Sequence, residues 1–350
     1  MPDIAIRLEE NPILRPADVK PSRDGLLVEC LLNPGAFQYK GRIGLLLRVA
    51  ERPVQSIGAV SVPVIDPNDP SGISILEFNE SDSDFVYNDP RTFKYRGATY
   101  LTTLSHLRLA WSDDGVRFQA DESPTLIGGG PLESFGIEDA RVAEIDGVYY
   151  ITYTQVSPNG IGVGLITTGD WQTFHRHGMI LPPSNKDCAL FAGKINGEFA
   201  AFHRPSDVYL GGHYLWLSYS PDATHWGRHA CVAKTRPNMW DSRRIGAGAA
   251  PIKTEQGWLE IYHGANSDQR YCLGAMLFDL NDPAKLLARS IDPIMEPSAP
   301  YELTGFFGNV VFTNGHIANG DKVTVYYGAS DEIVCGAGFS IQEILSTLPR

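Results

Sequence analysis

Apolar residues along this 350-residue chain come in short runs dense in β-branched and aromatic side chains and bounded by turn residues, the signature of buried strands. Such runs are Leu45-Leu46-Leu47-Arg48-Val49, Val148-Tyr149-Tyr150-Ile151-Thr152-Tyr153, Gly257-Trp258-Leu259-Glu260-Ile261-Tyr262 and Lys322-Val323-Thr324-Val325-Tyr326-Tyr327. Helical periodicity is scarce before the final residues, so the pattern predicts an all-β fold. A longer order lies above the strands. One unit runs Asp139-Ala140-Arg141-Val142, the Asp146-Gly147 turn, Tyr149–Tyr153, Ile161–Leu165 and Gly169–Phe174, and the next repeats it from Ala189 through Asn196-Gly197 to Trp226. Similar units run from Asp89 to Phe118, Ala249 to Asp282 and Asn309 to Ile344, and residues 33–62 resemble a further one, followed by a polar stretch from Asp66 to Ser83. A repeat of this length with a fixed order of parts predicts four-stranded blades of a propeller rather than a generic sandwich, with five or six units in one domain spanning 1–350.

Composition narrows the partners. With 29 Lys+Arg against 41 Asp+Glu the formal charge is −12, which argues against nucleic acid and anionic membranes. The first residues lack a basic stretch leading into an apolar core, and no apolar run is long enough for a membrane span, so the expected location is cytoplasmic. The five cysteines are scattered without a Cys-x-x-Cys pair, which points to buried thiols rather than disulfides or zinc.

In a propeller, polar residues on the inner strands meet at a central channel even when far apart in sequence. Asn33, Arg48, Asp89, Asp139, Arg141, Arg204, Asp207, Arg244, His263 and Asp331 stand at such positions, several of them basic in an acidic chain. Each has a plainer reading. Asp139 and Arg141 have the spacing of a structural ion pair. Asp89, in Asn88-Asp89-Pro90-Arg91, is a rival acid or a turn residue. Arg48, inside an apolar strand, must have a partner, either Glu51 or another carboxylate in a structural pair, or a bound anion. His263 and Tyr271 alone would be core residues, and Trp216, Trp226 and Trp258 packing residues.

The motifs Gly136-Ile137-Glu138-Asp139-Ala140-Arg141, Asn185-Lys186-Asp187-Cys188, His203-Arg204-Pro205-Ser206-Asp207, Arg244-Ile245-Gly246-Ala247-Gly248, Tyr262-His263-Gly264 and Tyr326-Tyr327-Gly328-Ala329-Ser330-Asp331 together resemble glycoside hydrolase family 130, the inverting mannoside phosphorylases and a smaller group of β-mannosidases. The resemblance implies a five-bladed propeller with its active site at the central channel. It implies Asp139 as the catalytic acid, acting through the 3-hydroxyl of the transferred mannose, with Ala140 where the family has proline. Arg48, Lys186, Arg204, Arg244, His263 and Tyr271 match phosphate-contact positions, and Asn33, Asp89, Arg141, Asp187, Asp207 and Asp331 are expected to contact the sugar. The wording is closest to the β-1,2-mannobiose and β-1,2-oligomannan phosphorylases. The expectation is therefore phosphorolysis of a terminal β-linked mannose to α-mannose 1-phosphate, with inorganic phosphate as co-substrate and neither cofactor nor metal; a homo-oligomer is compatible with it. The alternatives are an inverting β-mannosidase that uses water and a non-catalytic carbohydrate-binding propeller. An inverting hydrolase needs a second carboxylate about 6.5–9.5 Å from the acid. Glu138 is the nearest in sequence, but strand alternation should point it away from Asp139.

Overall fold

The computed structural model describes residues 3–89, 91–206 and 210–349, without the side chains of 87–89. The chain is all-β, with two short helices at Pro300–Leu303 and Ile341–Ser346. Five antiparallel sheets follow one another, four with four strands and one with five. The leading strand of each is Leu26–Tyr39, Ile137–Ile145, Asn185–Leu190, Arg244–Gly246 and Val311–Asn319. In the second to fourth sheets the later strands pair outward in chain order. The fifth sheet instead takes its outermost strand from the other end of the chain: Ile6–Arg7 pairs with Gly338 and Ala337.

Strand alternation explains how these sheets stack. In Arg42–Pro53, Leu46 lies in an apolar cluster with Ile137, Val142 and Ile151 of the second sheet, whereas Leu45 and Leu47 lie with Tyr326 and Val334 of the fifth. Both faces are buried, which is why the run reads as continuous Leu-Leu-Leu. Further clusters join the second sheet to the third through Ile145 and Leu190, the third to the fourth through Phe202 and Phe278, and the fourth to the fifth through Leu273 and Val325. Apolar packing thus passes from sheet to sheet and returns to the first. The leading strands run side by side, and their far ends line one cavity of about 270 Å³ with Ala36–Gln38, Val142–Glu144, Ala192, Ala250–Lys253 and His316–Ala318.

The unit count from the repeat is corrected here. Residues 33–62 and 89–118 do not form two sheets. Arg42–Pro53 pairs directly with Leu104–Ser112, from Ile43 opposite Ser112 to Glu51 opposite Leu104. The intervening residues leave this sheet as an arm containing the hairpin Ala59–Ile65/Ile73–Asn79 and the three strands Phe85–Asp89, Thr92–Tyr95 and Ala98–Leu101. The arm has its own aromatic core of Phe78, Phe85, Phe93, Tyr95 and Tyr100, and that core mimics a repeat unit in the sequence. Among the described residues no helix is long and apolar enough to cross a membrane.

Candidate functional site

At the end opposite that cavity, four of the five leading strands break register. Asn33-Pro34, Asp139-Ala140 and Asp187-Cys188 each place two residues opposite one, and Asn314 is an insertion in the fifth sheet. A bulge bends the strand and re-aims the side chain it carries. Asp139 and Asp187 sit there with φ near 51° and 52°, and Asp331 adopts φ 51° in the turn between two strands of the fifth sheet. Non-glycine residues hold this left-handed backbone only where the surroundings fix it, and such positions cluster at functional sites.

The bulge overturns the expectation for Glu138. Strand alternation fails at the break, and Arg48 grips both carboxylates: Nη2 lies 2.8 Å from Glu138 Oε1 and Nη1 3.0 Å from Asp139 Oδ1. Arg48 Nε also donates to Ser105 Oγ at 3.1 Å. Glu51, the other partner considered for Arg48, instead accepts the Ser22 N–H at 2.6 Å and lies 3.5 Å from His106. Asn33 Nδ2 donates to Asp139 Oδ1 at 3.3 Å. Burial pushes the Asp139 carboxyl up, but Arg48, then Lys186 and Arg141, outweigh it and hold it below its ordinary value.

Asp187 anchors a second cluster. It is 1% exposed, and its oxygens lie 3.1 Å from Arg141 Nη2, 2.7 Å from Arg204 Nη1 and 3.2 Å from His263 Nε2. Burial opposes its charge, yet Arg204, His263 and Arg141 keep its carboxyl well below the usual range. Burial pulls His263 down to about 4 in spite of Asp187, and its Nε2 lies 3.1 Å from Arg204 Nη1 as well as beside Asp187 Oδ2. The imidazole packs on Phe312, with ring centroids 4.1 Å apart. Gly246 permits this packing, since a Cβ there would lie 2.4 Å from Asp187 Oδ2 and 2.5 Å from His263 Nε2.

Arg141 is a brace. Its nitrogens bond the carbonyls of Gly248 (2.7 Å), Ala247 (3.0 Å) and Asp139 (3.1 Å) as well as Asp187, tying two leading strands to the segment that follows Arg244–Gly246. Four of its five N–H donors are therefore engaged within the protein, which suits a positioning role.

The remaining cations are arranged differently. Lys186 stands directly opposite Arg204 across the strand pair, a like-charge placement that is unfavourable in itself. Arg244 donates to Tyr271 Oη at 2.8 Å. Among the described residues neither Lys186 nor Arg244 has a carboxylate within ion-pair distance. Arg48, Arg141 and Arg204 by contrast are all paired. Asp331, whose carboxyl burial pushes up to about 6 against the pull of Arg48, faces the same group. The structure thus brings together Asn33, Arg48, Asp139, Arg141, Lys186, Asp187, Arg204, Arg244, His263, Tyr271 and Asp331. Asp207 lies outside the described residues, as does the side chain of Asp89; its backbone ends a strand of the arm rather than opening a sheet.

Comparison with known proteins agrees with this geometry. The family model described as beta-1,4-mannooligosaccharide phosphorylase matches residues 83–350. The chain belongs to glycoside hydrolase family 130. It is similar to the beta-1,2-mannobiose phosphorylase of Listeria innocua, with 43% identity over 347 residues and 98% of each chain covered. It is also similar to the 1,2-beta-oligomannan phosphorylase of a Thermoanaerobacter species, with 37% identity over 71% of this chain and 82% of that one. The Listeria enzyme solved with beta-1,2-mannobiose superposes with a TM-score of 0.91 at 42% identity, over 98% of both chains. As a family 130 member the chain is a mannoside-active enzyme, and its cation cluster is read in that light.

Sequence reasoning missed two site residues. His213, whose Nδ1 is buried without a partner among the described residues, is pulled down to about 4 by burial and by Arg204, Arg244 and Lys186, and its carbonyl accepts the Ile245 N–H at 3.0 Å. Ser105 holds Arg48. Neither stands in a motif, and only the folded register brings them in.

Proposed function

We propose that this enzyme cleaves a terminal β-1,2-linked mannose from manno-oligosaccharides with inorganic phosphate, inverting the anomeric centre to give α-mannose 1-phosphate. The observation that carries this reading is the pair of cations, Lys186 and Arg244, which among the described residues have no carboxylate within ion-pair distance, while Arg48, Arg141 and Arg204 are paired. Two such positive charges suit a phosphate dianion, and Arg204, His263 and Tyr271 add further donors. A phosphorylase needs such a cradle and needs no base to activate water, since its nucleophile arrives already ionised. The similarity to the two β-1,2-mannoside phosphorylases supports the linkage.

In this reading Asp139 is the acid, and Asn33, Asp331 and the region of Asp89 and Asp207 meet the sugar. A phosphate oxygen forms the new bond to the anomeric carbon as the glycosidic bond breaks. The proton of Asp139 reaches the leaving oxygen through the 3-hydroxyl of the mannose. Arg48, then Lys186, hold the Asp139 carboxyl below its ordinary value. A phosphate dianion offsets the field of Lys186, and so favours the protonated acid when the nucleophile is in place. Neither cofactor nor metal enters this scheme. We further read the ring of five packed sheets as a five-bladed propeller forming a single catalytic domain. The five free thiols suit a cytoplasmic setting.

The test is product analysis on β-1,2-mannobiose with and without phosphate, for the wild type and Asp139→Asn. Mannose 1-phosphate should form only with phosphate, and the variant should lose roughly 10²–10⁴-fold in rate, the usual worth of a positioned acid. Free mannose released equally without phosphate would overturn the reading in favour of a hydrolase, and binding without turnover in the favour of a non-catalytic module.

A further inference from the structure

The segment leading into Val311–Asn319 carries an exposed apolar feature that the reaction above does not use. Phe306 is 54% exposed, Phe307 39% and Leu303 41%. Among the described residues neither phenylalanine stacks on another ring. The segment is nonetheless firmly built. Glu302, fully buried, accepts the backbone N–H groups of Ser298 (2.8 Å) and Ala299 (2.9 Å), the Tyr327 hydroxyl (2.7 Å) and Arg7 Nε (2.8 Å). The Phe307 N–H donates to Ser330 O at 2.9 Å. A Cβ on Gly305 would lie 2.6 Å from Ser330 Cβ, so only glycine lets the loop approach this closely.

Both flanks of the aromatic pair are tied to the site. Ser330 precedes Asp331, which feels the charges of Arg48, Asp139 and Lys186. On the other flank Asn309 O accepts the Tyr271 N–H at 3.0 Å, and Phe312 packs on His263. Two adjacent phenylalanines held in water on a braced loop are costly unless something covers them. A mannopyranose ring presents a face of C–H groups that suits the negative face of an aromatic ring. We propose that Phe306 and Phe307 form a platform for the mannose units on the leaving-group side of the scissile bond. This rests on the phosphorylase reading above. The occupant is the acceptor saccharide, because the Phe307 N–H bonds Ser330, the neighbour of Asp331 assigned to the transferred sugar, and a manno-oligosaccharide continues from that sugar on its leaving-group side.

The test uses the full chain in the synthetic direction, with α-mannose 1-phosphate as donor and mannose or β-1,2-mannobiose as acceptor. Phe306→Ala and Phe307→Ala should each raise the acceptor KM about tenfold, roughly 1.4 kcal/mol, leaving the donor KM and the thermal midpoint unchanged. Phe306→Tyr, which keeps the ring, should restore most of the loss. An unchanged acceptor KM, or equal changes for donor and acceptor, would overturn the platform. So would a variant whose only effect is a changed oligomeric state on size-exclusion chromatography, which would make this face a self-association surface. A wild type that releases no phosphate from α-mannose 1-phosphate with either acceptor would instead refute the underlying phosphorylase reading.

Discussion

Asp187→Asn offers the sharpest test of how charge is balanced in the site. The substitution keeps the shape of the side chain and removes a negative charge that faces Arg141 at 3.1 Å and Arg204 at 2.7 Å. All three side chains are at most 4% exposed. Removing one partner of a buried ion pair costs about 3–5 kcal/mol, because the other charge stays buried and uncompensated. The amide retains some hydrogen bonding, so about 3 kcal/mol is expected. For a chain of this length, with about 2.1 cal/mol/K of unfolding entropy per residue, 1 kcal/mol is worth about 1.4 °C, so the thermal midpoint should fall by roughly 4 °C. The sign with pH follows from the depressed carboxyl. Its stabilisation is complete above the unfolded value near pH 4 and is lost as pH falls through the lower folded value, so the gap to wild type should close in acid. Phosphate supplies the decisive arm. A bound dianion replaces part of the missing charge, so the variant should bind it more tightly, by about tenfold, or roughly 1.4 kcal/mol. Ligand at a hundredfold its Kd stabilises a folded protein by about 2.7 kcal/mol, and the variant should gain more from phosphate than the wild type does. Thermal unfolding across a phosphate series, with chloride at matched ionic strength, reads this directly. A gap of constant size at every phosphate concentration would refute the argument that Arg204 and its neighbours form the phosphate cradle.

Two further outcomes follow from individual contacts. Gly246→Ala would put a Cβ 2.4 Å from Asp187 Oδ2 and 2.5 Å from His263 Nε2, so phosphate-dependent turnover should fall at least about tenfold while the sheets stay folded, as circular dichroism would report; full activity in this variant would show that the His263–Asp187 geometry is not needed. Glu260 is fully buried, its Oε1 accepts the Gly248 N–H at 2.7 Å, and burial pushes its carboxyl up to about 8. The folded state then binds the extra proton from the unfolded value near 4 up to pH 8, so the wild type loses stability across that window. Glu260→Gln does not titrate and should gain on the wild type over the same range, with no further change above pH 8; parallel stability curves would contradict a buried, protonated Glu260.

The sequence shows where the strands are more clearly than how they are shared between sheets. The runs around Val148, Trp258 and Lys322 are strands as their residue types require. Residues 89–118 read as a repeat unit because Phe93, Tyr95 and Tyr100 have the composition of one, and composition does not record that Arg42–Pro53 pairs across the arm with Leu104–Ser112. The missing outer strand of the fifth sheet was illegible for a similar reason, since Ile6–Arg7 lies more than 300 residues from its partners Ala337 and Gly338. Within the site, residue types in motifs were legible and directions were not. Arg48 in an apolar strand had to have a partner, yet which one depended on a bulge that places Glu138 and Asp139 on the same guanidinium.

That bulge recurs, and its recurrence explains how a repeated fold builds an unrepeated site. Each sheet sends its leading strand toward the same end of the molecule, so similar local breaks at Asn33, Asp139, Asp187 and Asn314 deliver two asparagines and two aspartates to one end. The breaks interrupt strand pairing, and what they leave unpaired must be satisfied across sheets. Arg141 does this for the loop at Ala247 and Gly248, and Asn314 for the carbonyl of Asn33, which it reaches at 3.2 Å. The bonds that hold the sheets together at this end therefore also fix Asp139 and Asp187 in their left-handed backbone. Stability and chemistry are coupled through the same few side chains, so substitutions at the bulges should alter both, while those on the outer strands should alter stability alone.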